Sequence, residues 1–376
     1  MKTVFSKVTA LTVIVFTCLF LVLTLTSKKD EYSVNENRKL KDFPEISASS
    51  LIYGDFGKKV SEYFADRFAG RNVWLSMRAE FEAQAGDSIS NGIWVSKKMM
   101  LDTGFSSQSY ADENAETVNR FLDVYEGNVY VAVLPDSSGI YSDLLPPYKS
   151  VVSQKQRIDY FYSLLNSSIR KINAYNILKA QSENYIYYRT DTRPTAYGAY
   201  YVYRTVIRKL GLPPIEYDKY SIQHITDKFR GNLYHKSQYM GTKPDILDIY
   251  VCSDGAEAVE CTGYDNEGNS FEKKLLDMSF LESSDMYNIY LGSPEPLVRV
   301  KTSLNNGRKL LVIKDSYADC FIQFLLQHYS EIAIVSPEYM KEGLDSFIDP
   351  NDYEQTLLLF SIGTLSKKCG MDKICR

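Results

Sequence analysis

Short, continuously apolar runs alternate along this chain with stretches of helical spacing, and that alternation limits its fold more than any other feature. Val129-Tyr130-Val131-Ala132-Val133-Leu134 is bounded by Gly127 and Pro135 and reads as a buried strand. Ile158, Phe161, Tyr162, Leu165, Ile169 and Ile172 then fall on one helical face, residues 185–190 are strand-like, and Ala199, Val202, Tyr203, Val206 and Leu210 return to helical spacing. Thr195 is placed to cap that second helix, and Gly211 ahead of Pro213 to stop it. A strand over 309–314, a helix over 317–327, a strand over 332–335 and an apolar run over 356–360 resume the pattern. Alternation of this kind predicts an α/β fold with a mostly parallel sheet sandwiched by helices. Sites in such sheets form outside the carboxyl ends of the strands.

Residues 1–27 carry the one long apolar segment. Residues 8–26 hold no charge and would span roughly 28 Å as a helix, near the thickness of a bilayer core. Lys2 and Lys7 precede it, and Ser27, Lys28 and Lys29 follow. The run is longer than a signal-peptide core and lacks a good small-residue cleavage site, which favours an uncleaved anchor over a removed signal. Either way, the absence of a later span puts the rest of the chain on one face, as an anchored extracytoplasmic domain or, after cleavage, a secreted one. Residues 28–50 are polar and read as an extended stalk, with structure beginning near Leu51. An accessory helical and β region is expected over 51–110, including a broken helical period over 55–82 that Gly70 interrupts, and a turn entering a strand at Asn91-Gly92-Ile93-Trp94-Val95. The main α/β domain is expected over 111–366, with an irregular, β-containing insertion at about 213–296 and a tail over 367–376.

At 376 residues and 44% hydrophobic, the chain can bury a sizeable core. Its net charge of -4, with lysines and arginines scattered, leaves no footprint for nucleic acid. The 30 tyrosines suit half-buried packing or stacking platforms for sugar rings. Cys252 and Cys261 bracket an Asp-Gly turn and would face each other across a hairpin; Cys369 and Cys375 could close a short C-terminal loop. Both pairings fit an oxidising compartment, and free thiols are the alternative. Cys320, one turn beyond Ser316, reads as a small buried hydrophobe. No spacing of His, Cys, Asp or Glu calls for a metal, and no cofactor is implied.

The chemistry concentrates at two strand ends. In Leu310-Leu311-Val312-Ile313-Lys314-Asp315-Ser316-Tyr317-Ala318 an apolar strand runs into a helix start, where a serine hydroxyl would stand exposed among free backbone N–H groups. Ser316 is therefore a candidate nucleophile, with a helix cap as its structural alternative. Tyr187-Tyr188-Arg189-Thr190-Asp191-Thr192-Arg193-Pro194-Thr195 ends a second strand in a carboxylate, but an arginine stands where a base is wanted. Arginine has no acceptor lone pair and a pKa above about 12, so it cannot take the serine proton. It can pair with Asp191 or grip a carboxylate or phosphate. Of the three histidines, His224, His235 and His328, only His235 is a candidate replacement base; His328 falls at the end of the helix that follows Ser316.

Tyr188-Arg189-Thr190-Asp191 with Thr195, Lys314-Asp315-Ser316-Tyr317-Ala318, Asn91-Gly92 and Asp66-Arg67-Phe68 together resemble the DHHW family of bacterial surface proteins, over most of the chain after about Ser33. That family is similar to the SGNH-hydrolase-like domains of alginate O-acetyltransferases. The resemblance implies an SGNH-like fold, with Ser316 as acyl-carrying nucleophile and Asp191 as the aspartate of an Asp-His-His-Trp-Thr motif. The motif's histidines fall on Thr192 and Arg193 and its tryptophan on Pro194, so the catalytic histidine position is held by Arg193. Leu291-Gly292-Ser293-Pro294 resembles a Gly-Gly-Asn segment with its last two residues changed, which would remove oxyanion donors. Arg193, Gly292 and Tyr317 are the expected substrate contacts, a cell-envelope glycan the expected ligand, and a membrane-bound acyl-transfer protein a further partner. Three readings follow: a catalytically impaired relative that binds or assists modification of envelope polysaccharide, an active O-acetyltransferase or esterase, and a structural surface protein.

Overall fold

The computed structural model describes residues 2–26, 30–46, 55–86, 88–104, 110–146 and 152–376. The expected start of structure at Leu51 lies outside the described residues. Eight strands build the central sheet: β1 (Asn128–Leu134), β2 (Arg170–Ile172), β3 (Ala258–Tyr264), β4 (Ser270–Glu272), β5 (Leu297–Thr302), β6 (Lys309–Lys314), β7 (Glu331–Val335) and β8 (Gln355–Ser361). Their order is β4-β3-β5-β7-β6-β8-β1-β2. β7, β6, β8, β1 and β2 run parallel, while β5, β3 and β4 extend the sheet antiparallel. The mostly parallel, helix-covered sheet is as the alternation predicts.

The apolar runs are continuous because both faces of the sheet are covered. Leu310 and Val312 enter one core with helices Ala174–Ala180, Ala196–Lys209 and Ser316–Gln327. Leu311 and Ile313, one residue out of step, enter the other core with helices Ala111–Arg120 and Gln154–Leu164. This period of two is the pleat of the strand. Most of the largest fully buried side chains are tyrosines, among them Tyr130, Tyr188, Tyr200, Tyr203 and Tyr287, so tyrosine abundance is largely a packing feature.

Several elements differ from expectation, each for a local reason. The helical face read over 158–172 stops at Leu164, because Asn166 Oδ1 accepts from Ser168 N and Oγ and turns the chain; Ile172 then pairs with Ala132 in β2. Residues 185–190 form no sheet strand, only a bridge between Tyr187 and Pro194. The insertion is not separate from the sheet, since β3 and β4 are its edge. Cys252 ends the strand Asp245–Cys252, which pairs with Tyr220–Phe229, whereas Cys261 lies in β3 between β4 and β5. The two therefore do not face each other across a hairpin. Cys369 and Cys375 point to Asn114 and Thr117, and all six cysteines are free.

The accessory region holds helices Asp55–Asp66 and Arg71–Gln84, broken at Gly70 with φ 68°. A three-stranded sheet follows, turning at Asn91 and Gly92 through positive φ, as Asn-Gly turns do. The polar stretch before it is not an extended stalk where it is described. Tyr32–Ser33 and Arg38–Lys39 pair antiparallel, and Arg38 forks onto Asp66 at 2.5 and 2.9 Å. Arg71 reaches Glu36, tying this ribbon to both helices.

Candidate functional site

The loop closed by the Tyr187–Pro194 bridge, just ahead of helix Ala196–Lys209, is shaped by two acids. Asp245, fully buried, accepts from Arg189 N (2.7 Å), Thr190 N (2.9 Å), Thr190 Oγ1 and the Tyr185 hydroxyl (both 2.5 Å). It takes the place of the neighbouring strand this segment lacks. Thr195 caps the helix as expected, accepting from Gly198 N at 3.1 Å. Asp191 is the second acid. Arg193 donates Nε to its Oδ1 at 2.8 Å and Nη2 to its Oδ2 at 2.7 Å, and its main-chain N–H adds 2.9 Å to Oδ1. Asn232 N supplies a fourth donor to Oδ2, at 2.9 Å. Gly231 passes so close that a Cβ there would collide with the Asp191 side chain.

The pair is buried on both sides, and the Arg193 guanidinium lies over the Tyr287 ring, 3.6 Å from its centroid. Burial alone would raise the Asp191 pKa, but the charge and hydrogen bonds of Arg193 outweigh it and hold the carboxyl below its ordinary value. The same balance, burial against the Asp191 charge, leaves Arg193 well above its own ordinary value.

Ser316 opens the helix Ser316–Gln327 and is exposed. The N–H groups expected to stand free around it are largely taken. Asp315 Oδ1 accepts from Tyr317 N (2.9 Å), Asp315 O accepts from Ala318 N (3.2 Å), and Asp315 Oδ2 accepts from Ser361 N (2.8 Å), binding this helix start to β8. At the same strand-to-helix junction, Lys314 Nζ lies 2.5 Å from Asp319 Oδ1, both buried. Burial raises the Asp319 pKa, with Lys314 and Arg193 pulling the other way. Cys320 Sγ sits 3.9 Å from Pro194 O, so the two motif segments do meet. Asp191, Arg193, Asp319 and Lys314 thus form a buried series of alternating charge, two ion pairs joined by the pull of Arg193 on Asp319.

A cleft of about 180 Å³ opens beside this series, lined by Asp136, Thr192, Asn232, Tyr317, Ser361 and Lys367 among others. Asp136 is buried, and its Oδ1 collects Ser138 N, Ser138 Oγ, Gly139 N and Gln154 Nε2. Burial raises its pKa against those donors. Tyr317, an expected contact, borders this cleft. Gly292 does not: its N–H donates to Asn288 O at 3.0 Å and it packs near Lys273. His235 is engaged by the N-terminal ribbon, with Nδ1 2.7 Å from Asn35 O. His328 is buried, 2.7 Å from the Tyr203 hydroxyl, and burial brings its pKa down to about 4.

The sequence matches the family described as DHHW protein over residues 75–335, well over half of the chain. The chain belongs to the DHHW family. A DHHW family protein from Eubacterium siraeum superposes with a TM-score of 0.64 at 22% identity, covering 76% of this chain and 95% of that one. Bacillus cereus PatB1, in a structure with a sulfonyl adduct, superposes with a TM-score of 0.63 at 17% identity, covering 75% of this chain and 98% of that one. These likenesses establish the shared fold. No curated protein matches the sequence.

Within the DHHW frame, the departures read from the sequence now have a geometry. At the expected base position stands a cation with both Asp191 oxygens in its fork. Asp245, Asn232, Asp136, Tyr287 and the Lys314–Asp319 pair were not singled out beforehand. A buried acid far from either motif leaves no periodic signal, and only the run Lys314-Asp315-Ser316-Tyr317-Ala318-Asp319 hinted that charges gather at this helix start.

Proposed function

We propose that this DHHW-family chain is a membrane-anchored, outward-facing protein that binds cell-envelope polysaccharide or assists its O-acetylation, with its own serine chemistry suppressed. One observation carries the suppression: the bidentate Arg193–Asp191 pair, at 2.7 and 2.8 Å. Serine attack needs a neighbour that accepts the hydroxyl proton. Asp191 is occupied by its arginine, and Arg193 has no lone pair to offer. General-base help is typically worth about a hundred- to ten-thousand-fold, which sets the scale of the loss. The anchor reading is supported by helix Lys7–Thr26, long and apolar enough by length and composition to cross a membrane.

The exposure of Ser316 favours a second reading, an active serine O-acetyltransferase or esterase. One experiment separates the two. The full chain is incubated with an aryl sulfonyl fluoride and, in parallel, an activated acetyl ester, and adducts are located by intact mass and peptide mapping, with Arg193→His and Ser316→Ala alongside. The sulfonyl probe is chosen because PatB1 was obtained with a sulfonyl adduct. We expect no Ser316 adduct on the unaltered chain and a measurable one with Arg193→His. An adduct on the unaltered chain that Ser316→Ala abolishes would overturn the suppression and establish the second reading.

A further inference from the structure

We infer that helix Arg71–Gln84 lies along the membrane surface with Val73, Trp74, Met77 and Phe81 in the lipid, a second contact beside the N-terminal span; the inference rests on the anchored reading. The helix is apolar on two opposite faces. Ala79 is 1% exposed and packs with Ile93, Val95, Leu233 and Tyr234 of the body. At 3.6 residues per turn, Leu75 and Ala83 fall within about 40° of Ala79. Val73, Met77, Phe81 and Trp74 fall at roughly 120° to 220°, the far side. These four are 62%, 56%, 73% and 42% exposed. Arg78, Glu80 and Glu82 occupy the flanks between the two faces, with Arg78 and Glu82 paired at 2.7 Å. Ala79, Ala83 and Leu75 inward, four exposed apolar residues outward and charges along the edges describe a slab seated between a protein body and an apolar phase.

The apolar phase is a bilayer rather than a second copy because the outward face is continuous with the span. Phe20 stacks on Phe68 at 5.4 Å and meets Trp74 edge-on at 5.9 Å, and Ala69 N donates to Thr24 Oγ1 at 3.2 Å. Phe20 lies six residues before the end of the span at Thr26, which puts Trp74 about 9 Å below that end. Interfacial helices immerse their apolar face by about 5–10 Å, and tryptophan concentrates at that level. Met77 and Phe81, further along, remain exposed, so the helix leaves the span after its first turn instead of running down beside it.

The test uses the full chain in phosphatidylcholine–phosphatidylglycerol vesicles. The sequence has two tryptophans, Trp74 and Trp94. One reporter is Trp74 in a Trp94→Phe background; the other is Phe81→Trp with both native tryptophans changed to Phe. Each is challenged with lipid brominated near the headgroup end of its acyl chains and with aqueous iodide. We expect both reporters to be quenched at least twofold more by brominated lipid than by iodide. Quenching at neither overturns the inference. Quenching of Trp74 alone overturns it too, since proximity to the span would suffice there. Protection of position 81 that grows with the number of copies per vesicle identifies a second chain as the occupant and likewise overturns it. Intact mass of chain recovered from native membranes reads the anchor separately: loss of residues 1–27 refutes the anchored reading, and repeating the quenching on that shorter chain still decides the helix.

Discussion

Replacing Arg193 by Met, close in length and uncharged, would leave Asp191 buried without its countercharge. The structure sets the size of the effect. Two charge-assisted bonds at 2.7 and 2.8 Å and a guanidinium 3.6 Å from the Tyr287 centroid are lost, in a place where neither partner is more than slightly exposed. Removing one member of such a pair costs about 3–5 kcal/mol, a large share of the roughly 5–15 kcal/mol of a typical domain. The pH dependence identifies the cause. In the parent, the folded Asp191 pKa is depressed, so the pair's contribution is complete above the ordinary carboxylate value and lost only as pH falls below it. In Arg193→Met, burial is opposed only by the main-chain N–H groups of residues 193 and 232, so the Asp191 pKa moves up, and the penalty is fullest at pH 7 and eases as the carboxyl protonates. Denaturant unfolding of both proteins at pH 7 and pH 4 should therefore show a gap that narrows in acid. Asp191→Asn with Arg193→Met should recover much of the loss and show no such narrowing. A gap below about 1 kcal/mol, as at a solvated surface pair, or one unchanged between the two pH values, would refute the reasoning.

Three further outcomes follow from the same structure. Asp245→Ala strands Arg189 N, Thr190 N, Thr190 Oγ1 and the Tyr185 hydroxyl, and should lower stability by at least about 3 kcal/mol by denaturant midpoint. Gly231→Ala forces a methyl into the Asp191 side chain; we expect about 1–3 kcal/mol of destabilisation, and less of it attributable to Gly231→Ala when Asp191→Gly removes the Cβ and carboxylate the methyl would strike. His328, with a folded pKa of about 4 against an ordinary 6.5, binds its proton more readily when unfolded. Its contribution is complete above pH 6.5 and lost as pH falls toward 4, at up to about 1.4 kcal/mol per pH unit; His328→Gln should flatten that part of the stability profile.

What the sequence made legible was whatever repeats or sits at a chain-local boundary. The strands 129–134 and 310–313 show as unbroken apolar runs because each is covered twice, and Thr195 and Gly70 mark helix ends through backbone needs that lie within a few residues. The segment 185–190 resembled a strand for the same reason, apolar aromatics in a row, yet its hydrogen bonds go to Asp245, more than fifty residues away. Ile172 fitted a helical spacing that Asn166 interrupts with a single side-chain acceptor. Cys252 and Cys261 looked like hairpin partners because Asp254-Gly255 is a turn. That turn instead carries the chain from one sheet to another, a choice made by β5 pairing with β3. The motif residues were legible as types, but their state was not: whether Arg193 grips Asp191 or reaches for a ligand depends on Tyr287 and Asn232, which no spacing connects to it.

The buried charge series also bears on what restoring the base would achieve. With Arg193→His, Asp191 and Asp319 remain as two carboxylates facing one lysine cation, Lys314. Burial disfavours an imidazolium, but the same burial acts on Arg193, and there the Asp191 charge wins and favours the cation. A histidine introduced here should accordingly have a raised pKa and be largely protonated at neutral pH, a poor acceptor for the Ser316 proton. Labelling of Ser316 in Arg193→His by the sulfonyl fluoride should then be slow at pH 7 and rise as pH passes above the ordinary histidine value of about 6.5 and through the raised one. Adding Asp319→Asn removes one of the two carboxylates and should bring that rise to lower pH. A profile already level at pH 6.5, or one that Asp319→Asn leaves in place, would mean that Asp319 does not act on this position and that the four charges are not a single series.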